Sequence, residues 1–491
     1  MKKYIMAIDQ GTTSTRAIVF DKMQNCVATA QREVKNYFPE PGYVNMDANE
    51  IWLSVLSCIA DIFRSSSIKP QEIEAIGISN QRETTIIWDR HTGIPIDYAI
   101  VWQSRETSDI IEEYKAMGVE EMVKEKTGLL LDPYFSASKI VCLLRKHPEL
   151  NRDDLLFGTV DTWLVWNMTG RKVHKTDVTN ASRTLLFNIN TLDWDDELLK
   201  LFDIPRSMLP EISDTSGEIG YVEPYHFFNE RPLIGSIVGD QQAALFGQSC
   251  FDKGDIKNTY GTGGFILMNT GEDLIMSKNG LLTTVAYKIG DEVKYALEGS
   301  IFVSGSLIQW LRDGLGLFEN AAETEQMAIE AVSAKGVMIV PSFVGFGAPY
   351  WDDEAKGAIF GLTRGVDKKN LVRAALESMA YQTKDLLDLM ENESQTTIRE
   401  LKVDGGASRN NFLLQFQSDI LMLDVLRGSS TETTALGAAR MAGLASGMYK
   451  MDDFKNEVER IFKPMRDKEE VEKLYRRWKL AIEMTRGFKN V

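Results

Sequence analysis

Twice in this chain a short apolar strand runs into a turn of glycine and hydroxyl-bearing residues and comes straight back as a second strand. The first copy is Asp9-Gln10-Gly11-Thr12-Thr13-Ser14, between strands expected over Tyr4–Ile8 and Arg16–Phe20. The second is Gly261-Thr262-Gly263-Gly264, between Ile256–Tyr260 and Phe265–Asn269. Such a turn can gather backbone N–H groups and hydroxyls around one anion, with Gly11 letting the backbone approach closely. Asp9 can hold Mg²⁺ through water, because that ion takes one or two carboxylates plus phosphate oxygens. Glycine, threonine and serine are also ordinary turn residues, so an anion cradle and a plain turn stand side by side at this level. An echo half a chain away implies two related domains facing each other, divided as residues 1–250 and 251–491.

A length of 491 residues exceeds what one hydrophobic core supports, which agrees with two domains. The net charge of −16 argues against general nucleic-acid binding but leaves room for a local basic site for a phosphorylated ligand. Cys26, Cys58, Cys142 and Cys250 stand singly, without metal or CxxC spacing, and read as core residues in a reducing compartment. The apolar run after Lys3 is too short for a signal peptide and no stretch reaches membrane-spanning length, so a cytoplasmic location is expected.

Asp47 or Asn49 can cap a helix in which Ile51, Trp52, Val55, Leu56, Ile59 and Phe63 recur at helical spacing. Ala75–Ser79 reads as a buried strand with Thr85–Trp88 as its neighbour, and Asn80-Gln81-Arg82-Glu83 lies between them. An adjacent Arg and Glu is usually a solvated pair, yet the end of a buried strand is where open α/β sheets place ligands. Ala99–Val101 ends in Trp102, the segment 109–126 reads as one charged helix, and a leucine-rich loop ends at Tyr134. Thr179-Asn180-Ala181-Ser182-Arg183 is a polar loop without evident purpose. The strand Leu233–Val238 runs through Gly239 into Asp240-Gln241-Gln242 at a helix start, where Asp240 reads as an N-cap that leaves the glutamines unexplained.

In the second half, Gly305 precedes a helix carrying Gln309, and the strand Leu401–Val403 opens into Asp404-Gly405-Gly406 before a helix that Asn410 can cap. Two glycines between a strand and a helix start let a flat ligand lie on the backbone, where the dipole favours negative charge. Thr433–Ser446, rich in Ala and Gly, is slim enough to pack closely on a neighbour. There is no GxxxxGKS or GxxxxGKT loop, no dinucleotide fingerprint and no HRD or DFG motif, and the four histidines have neither metal nor triad spacing. A nucleotide site must then be built from Gly/Thr/Asp turns in two facing domains.

Taken in order, Asp9–Ser14, Asn80–Thr84, Gly239–Gln242, Tyr260–Gly263 and Asp404–Gly406 resemble the motifs of the FGGY carbohydrate kinases, from about Tyr4 to Arg477. The resemblance implies an α/β protein of two actin-like, ribonuclease-H-like domains, with mixed sheets flanked by helices and the active site in the cleft between them. Arg82-Glu83 with Trp102 and Tyr134 is similar to the members that phosphorylate glycerol, which implies formation of sn-glycerol 3-phosphate from ATP with Mg²⁺. A kinase for another polyol or a pentulose, and a non-catalytic actin-like ATPase, are the alternatives. Carried over by residue, the resemblance implies that Arg82, Glu83, Tyr134, Asp240 and Gln241 hydrogen-bond the triol, that Trp102 and Phe265 cover its carbon edge, and that Asp240 is the base. Thr12, Thr13, Ser14 and Arg16 would cradle the ATP phosphates, Thr262, Gly305, Gln309, Gly406 and Asn410 would hold ADP, and Asp9 would reach Mg²⁺ through water. The loop Tyr225–Asn229 resembles that of Gram-positive members whose histidine is phosphorylated by the phosphocarrier protein HPr, which makes His226 a modification site, although Asn229 stands where Gly is usual. Cys142 likewise stands where the family signature carries Trp. The family further implies a homodimer or homotetramer.

Overall fold

In the computed structural model, which describes residues 2–352, 354–455 and 457–488, the first hairpin forms from β1 (Tyr4–Gln10) and β2 (Ser14–Phe20). Met6, Ile8, Ala17 and Val19 enter one apolar cluster, while Ile5, Ala7, Ile18 and Phe20 enter another. The period-two alternation thus feeds a core on each side of the sheet. One core is completed by the helix Ala48–Ser65, started by Asp47, whose carboxylate accepts the Asn49 N–H.

β3 (Cys26–Glu33), β4 (Ile73–Asn80), β5 (Ser216–Tyr221) and β6 (Leu233–Gly239) complete a sheet of order β3-β2-β1-β4-β6-β5. The second sheet comprises β7 (Ile256–Tyr260), β8 (Gly264–Gly271), β9 (Leu282–Ile289), β10 (Glu292–Ile301), β11 (Glu400–Gly405), β12 (Asp424–Gly428) and β13 (Val458–Phe462). Its order is β9-β10-β8-β7-β11-β12-β13. Without the edge strand β9 it repeats the first sheet strand for strand: antiparallel twice, parallel twice, then antiparallel. The echo heard in two turns is an echo of whole topology.

Helices Lys368–Ser394 and Asn411–Leu421 cover the second sheet. The Ala/Gly-rich helix Thr433–Ala445 crosses back onto the first sheet. Its small residues are needed: a Cβ on Gly437 would stand 1.9 Å from the Ala243 carbonyl oxygen, and one on Gly77 of β4 would stand 2.2 Å from that of Ala438.

Some expectations are corrected. The strand Ile86–Asp89 pairs with Leu155–Gly158 rather than with β4, because β1 and β6 already occupy both edges of β4. The segment 109–126 forms two helices, Ser108–Ala116 and Glu120–Thr127, parted near Gly118, whose φ of +71° no helix accommodates. Cys26 is exposed, against the reading of all four as core residues, whereas Cys58, Cys142 and Cys250 are buried, Cys142 within an apolar cluster. Among the described residues no helix is long and apolar enough to cross a membrane.

Candidate active site

β1, β4 and β6 run parallel with Asp9, Ser79 and Val238 in register, so the chain segments leaving β4 and β6 emerge at one edge of the first sheet. Sheet edges of this kind are where open α/β folds bind ligands. Beyond β4 come Arg82 and Glu83, both buried. Glu83 has φ of +61°, a left-handed conformation that costs a non-glycine residue roughly 1 kcal/mol or more. The surroundings over-determine it: the Glu83 carbonyl accepts the hydroxyls of Ser136 at 3.0 Å and Thr85 at 3.1 Å.

Beyond β6 comes Asp240. It is not the N-cap, a position that Gly239 takes; Asp240 is the first residue of the helix Asp240–Gly247, and its carboxylate accepts the Gln241 N–H at 2.8 Å. Arg82 Nε lies 3.3 Å from Asp240 Oδ1, and the Asp240 side chain is 32% exposed while that of Arg82 is 2%. A partly exposed carboxylate is thus backed by a buried guanidinium.

Arg82 also donates to both oxygens of Glu298, at 2.6 and 2.9 Å, and to Gln242 at 3.2 Å. Arg183 donates to Glu83 at 2.6 Å and to Glu298 at 3.1 Å, and its guanidinium lies 5.7 Å from the Tyr134 ring centre. Burial works against the Glu298 carboxylate, but the Arg183 and Arg82 charges outweigh it and hold the pKa down at about 2. Burial raises the Glu83 pKa against the pull of Arg183 and Arg82. Lys257, fully buried on β7, donates to Gln241 at 2.6 Å, to the Thr259 hydroxyl at 3.0 Å and to the Phe265 carbonyl at 3.3 Å. Burial lowers its pKa to about 8, although Asp404, Asp240 and Glu298 oppose the shift.

Aromatic rings adjoin these groups. Trp102 meets Tyr134 edge-on at 5.5 Å and Phe265 at 6.3 Å, and its indole N–H donates to the Thr12 hydroxyl at 2.8 Å. Burial, then the Glu83 charge, raises the Tyr134 pKa far above the usual phenol range. Phe265 comes from the second sheet, so these rings span both lobes.

The first turn is tied by Gly11 N–H to the Ser14 carbonyl at 2.9 Å and leaves Thr13 exposed. Arg16 sits opposite Asp9 and donates to Glu432 at 2.8 Å, so its charge is shared with the segment before the helix Thr433–Ala445. In the second lobe the equivalent turn is built by close backbone approach. Ser304, Gly305 and Ser306 N–H groups bond the carbonyls of Gly261 and Thr262 at 3.0–3.1 Å, and a Cβ on Gly305 would stand 2.5 Å from Gly261 O. Gly405, with φ of +83°, lies beside Tyr260, while Gly406 has nothing within 4 Å of where its Cβ would be. Gln309 is exposed on the helix Gly305–Gln309. Asn410 is engaged as a cap, accepting the Leu413 N–H at 2.9 Å and donating to Thr324 at 3.1 Å.

Each of the two sheets carries an Asp near the end of a strand, Asp9 on β1 and Asp404 on β11. Asp9 has its pKa pushed up to about 7 by burial, with Arg16 pulling down and Asp240 and Glu432 pushing up. Asp404 accepts Gln248 at 3.0 Å and the Thr433 hydroxyl on one oxygen, while its other oxygen is buried with no protein partner. Among the described residues no three or more His, Cys, Asp or Glu side chains cluster as a metal cage; Mg²⁺, which takes one or two carboxylates with water and phosphate oxygens, asks for no such cage.

Sequence reasoning missed Arg183, Glu298, Lys257 and Asp404's free oxygen. The loop 179–183 has a purpose after all: Asn180 exchanges amide bonds with Asn80 at 2.9 and 3.2 Å, Thr179 receives the Gly239 N–H at 2.8 Å, and Arg183 follows. His226 lies elsewhere, in the turn Pro224–His226, edge-on to Trp52 at 5.0 Å. Asn229 has φ of +69°, which explains a Gly at that position and why Asn serves. A cavity of about 530 Å³ lined by Trp194, Arg206, Asp214 and Lys288 is also separate, and its cations are already paired with Asp193, Asp196 and Asp214.

Two sheets of one topology, with charged side chains at the strand ends of one and glycine-rich turns at those of the other, define a two-domain α/β protein built to bind small molecules. Residues 4–247 match the FGGY family of carbohydrate kinases, N-terminal domain, and residues 256–446 match its C-terminal domain. The chain belongs to the FGGY family of carbohydrate kinases. It is 55% identical over 499 aligned positions to a glycerol kinase of Staphylococcus epidermidis, covering 100% of this chain and 99% of the relative. The solved structure of Plasmodium falciparum glycerol kinase with ADP superposes with a TM-score of 0.93 at 35% identity over 99% of both chains. A xylulose kinase of Lactobacillus acidophilus shares the fold, with a TM-score of 0.86 at 21% identity over 98% of this chain and 97% of that one.

Proposed function

We propose that this chain transfers the γ-phosphoryl group of ATP to a terminal hydroxyl of glycerol, giving sn-glycerol 3-phosphate and ADP. The observation that carries the reading is the clamp: Arg82 at 3.3 Å from the partly exposed Asp240 carboxylate, with Glu83 and Gln241 beside it and the Trp102–Phe265 rings nearby. A small triol offers hydroxyls on one side and C–H groups on the other, and this pairing of polar clamp and aromatic rings complements both. The full-length likeness to two glycerol kinases supports the same substrate.

Asp240 accepts the proton of the attacking hydroxyl as its oxygen bonds to the γ-phosphorus and the bond to the ADP oxygen breaks. Arg82, Glu83, Tyr134 and Gln241 orient the triol, and Trp102 and Phe265 keep water from its carbon edge. The turn Thr12–Ser14 with Arg16 receives the transferred phosphoryl group, and Thr262, Gly305, Gln309, Gly406 and Asn410 hold the nucleotide. Asp9 and Asp404 would hold Mg²⁺ through water, and the ion would supply neutralisation of phosphate charge. Phosphoryl transfer asks for little more than such positioning and electrostatics. This reading divides labour near residue 250, with polyol and phosphate on one side and adenine nucleotide on the other.

The reading extends to a cytoplasmic homodimer or homotetramer and to His226 as an acceptor of phosphate from HPr. Exposed Tyr225 and Phe228 flank His226 and suit a protein face. Absence of phosphohistidine after incubation with phosphorylated HPr would remove that part. For the main reading, ATP and Mg²⁺ are supplied with glycerol, other polyols and pentuloses in turn, and products are identified by mass. Glycerol 3-phosphate as the dominant product supports it; another phosphorylated polyol, or ATP hydrolysis alone, overturns it.

A further inference from the structure

The groups proposed to hold the triol are themselves held from behind. Arg82 is gripped by both oxygens of Glu298, Glu83 by Arg183, and Gln241 by Lys257. Glu298 lies on β10 and Lys257 on β7, both strands of the second sheet, whereas Arg82, Glu83 and Gln241 belong to the first lobe. Glu298, Arg183 and Lys257 are all at 0% exposure, so their contacts are fixed by packing rather than by solvent. Glu298 bridges Arg82 and Arg183, and Arg183 also lies over the rings of Tyr134 and Phe135.

From this geometry we propose that Glu298, Arg183 and Lys257 are positioning residues that make polyol affinity depend on how the second lobe seats against the first. The inference rests on the polyol reading above. Buried ions of this kind are expensive to desolvate, and hydrophobic replacements often fold at least as well, so stability alone is a weak reason for them. A fixed, charge-balanced lattice aims the Arg82 and Glu83 side chains at a substrate, and it is assembled only when β7 and β10 are in place. Movement of the second lobe would then loosen the clamp on the polyol, beyond merely moving the nucleotide.

The test is steady-state kinetics and melting of Glu298→Gln, of the double variant Glu298→Gln with Arg183→Gln, and of Lys257→Gln, beside the unsubstituted protein. Glu298→Gln leaves the arginines without their shared anion and is expected to raise the glycerol KM by about 10- to 100-fold, with the ATP KM within about 2-fold. The double variant restores the charge balance, so melting recovers while the glycerol KM stays high. Should Glu298→Gln fail to fold, Lys257→Gln carries the test, with glycerol KM rising by about 5-fold or more. Glycerol and ATP KM values that stay within about 2-fold in a folded variant, or that recover together with melting in the double variant, would overturn the inference. If the unsubstituted protein makes no glycerol 3-phosphate, the failure belongs to the polyol reading instead.

Discussion

The two sheets share a strand order, yet their ligand-facing ends are built from opposite materials. At the first sheet the strand ends carry ionic and amide side chains, with Asn80, Arg82, Glu83 and Gln241 buried and Asp9 and Asp240 partly exposed. At the second they are rich in glycine, with Gly263, Gly305 and Gly405 bringing backbone against backbone and Gly406 open on its Cβ side. On the proposed reading, one topology serves two kinds of recognition. Side chains distinguish hydroxyls, and a compact polyol needs several at once. A nucleotide is flat and anionic, and backbone N–H groups at turns and helix starts receive it without specific side chains.

The comparison breaks first at Asp240. Asp240→Asn keeps the shape and removes the base, so kcat should fall by about 10²- to 10⁴-fold with the ATP KM little changed, read by product formation. A drop of less than 5-fold would mean that the first lobe's carboxylate does not perform the proton transfer.

A second test concerns pH. His174, behind the first sheet between Trp88 and Trp166, bonds the Phe157 carbonyl at 2.8 Å, and burial pushes its pKa down to about 4 from 6.5. The unfolded chain binds this proton below pH 6.5 while the folded chain resists it down to pH 4, so stability falls as pH falls through that window. The loss amounts to at most about 3 kcal/mol, and His174→Gln should remove part of it in denaturant melts at pH 7 and pH 4.5.

The second lobe is tested through adjacent glycines. A Cβ on Gly405 would stand 2.2 Å from the Tyr260 carbonyl at φ of +83°, so Gly405→Ala should cost about 1–3 kcal/mol of stability. Gly406→Ala meets no atom within 4 Å and should leave melting within about 0.5 kcal/mol while raising the ATP KM several-fold. Equal effects of the two substitutions would erase the distinction between a glycine the fold needs and one the ligand needs.

Much of this was legible in the sequence. The hairpins around Gly11 and Gly263, the buried strand before Arg82, a cap at Asp47 or Asn49, which the structure resolves to Asp47, and the slim helix read as 433–446 and found as 433–445 follow from period, turn chemistry and residue size. The structure gathers the clamp residues the motifs suggested. What stayed hidden are contacts between distant elements. Glu298 and Lys257 sit inside strands where a charged side chain reads as solvent-facing, and their partners lie far off in sequence, 216 residues away for Glu298 and Arg82. The neighbour assigned to β4 was wrong for the same reason: local spacing cannot tell that β1 and β6 have already filled both edges. A cap reading for Asp240 was chemically sound but one residue out, since Gly239 takes that place and frees the carboxylate for the cleft.

The most direct measurement is a crystal structure with glycerol, ADP and Mg²⁺ bound. The account predicts glycerol hydroxyls within hydrogen-bond distance of Arg82, Glu83 and Asp240, its carbons against Trp102 and Phe265, and ADP on the turns at 261–263 and 405–406. Glycerol bound by the second lobe's turns, or ADP lying across Arg82 and Asp240, would contradict it.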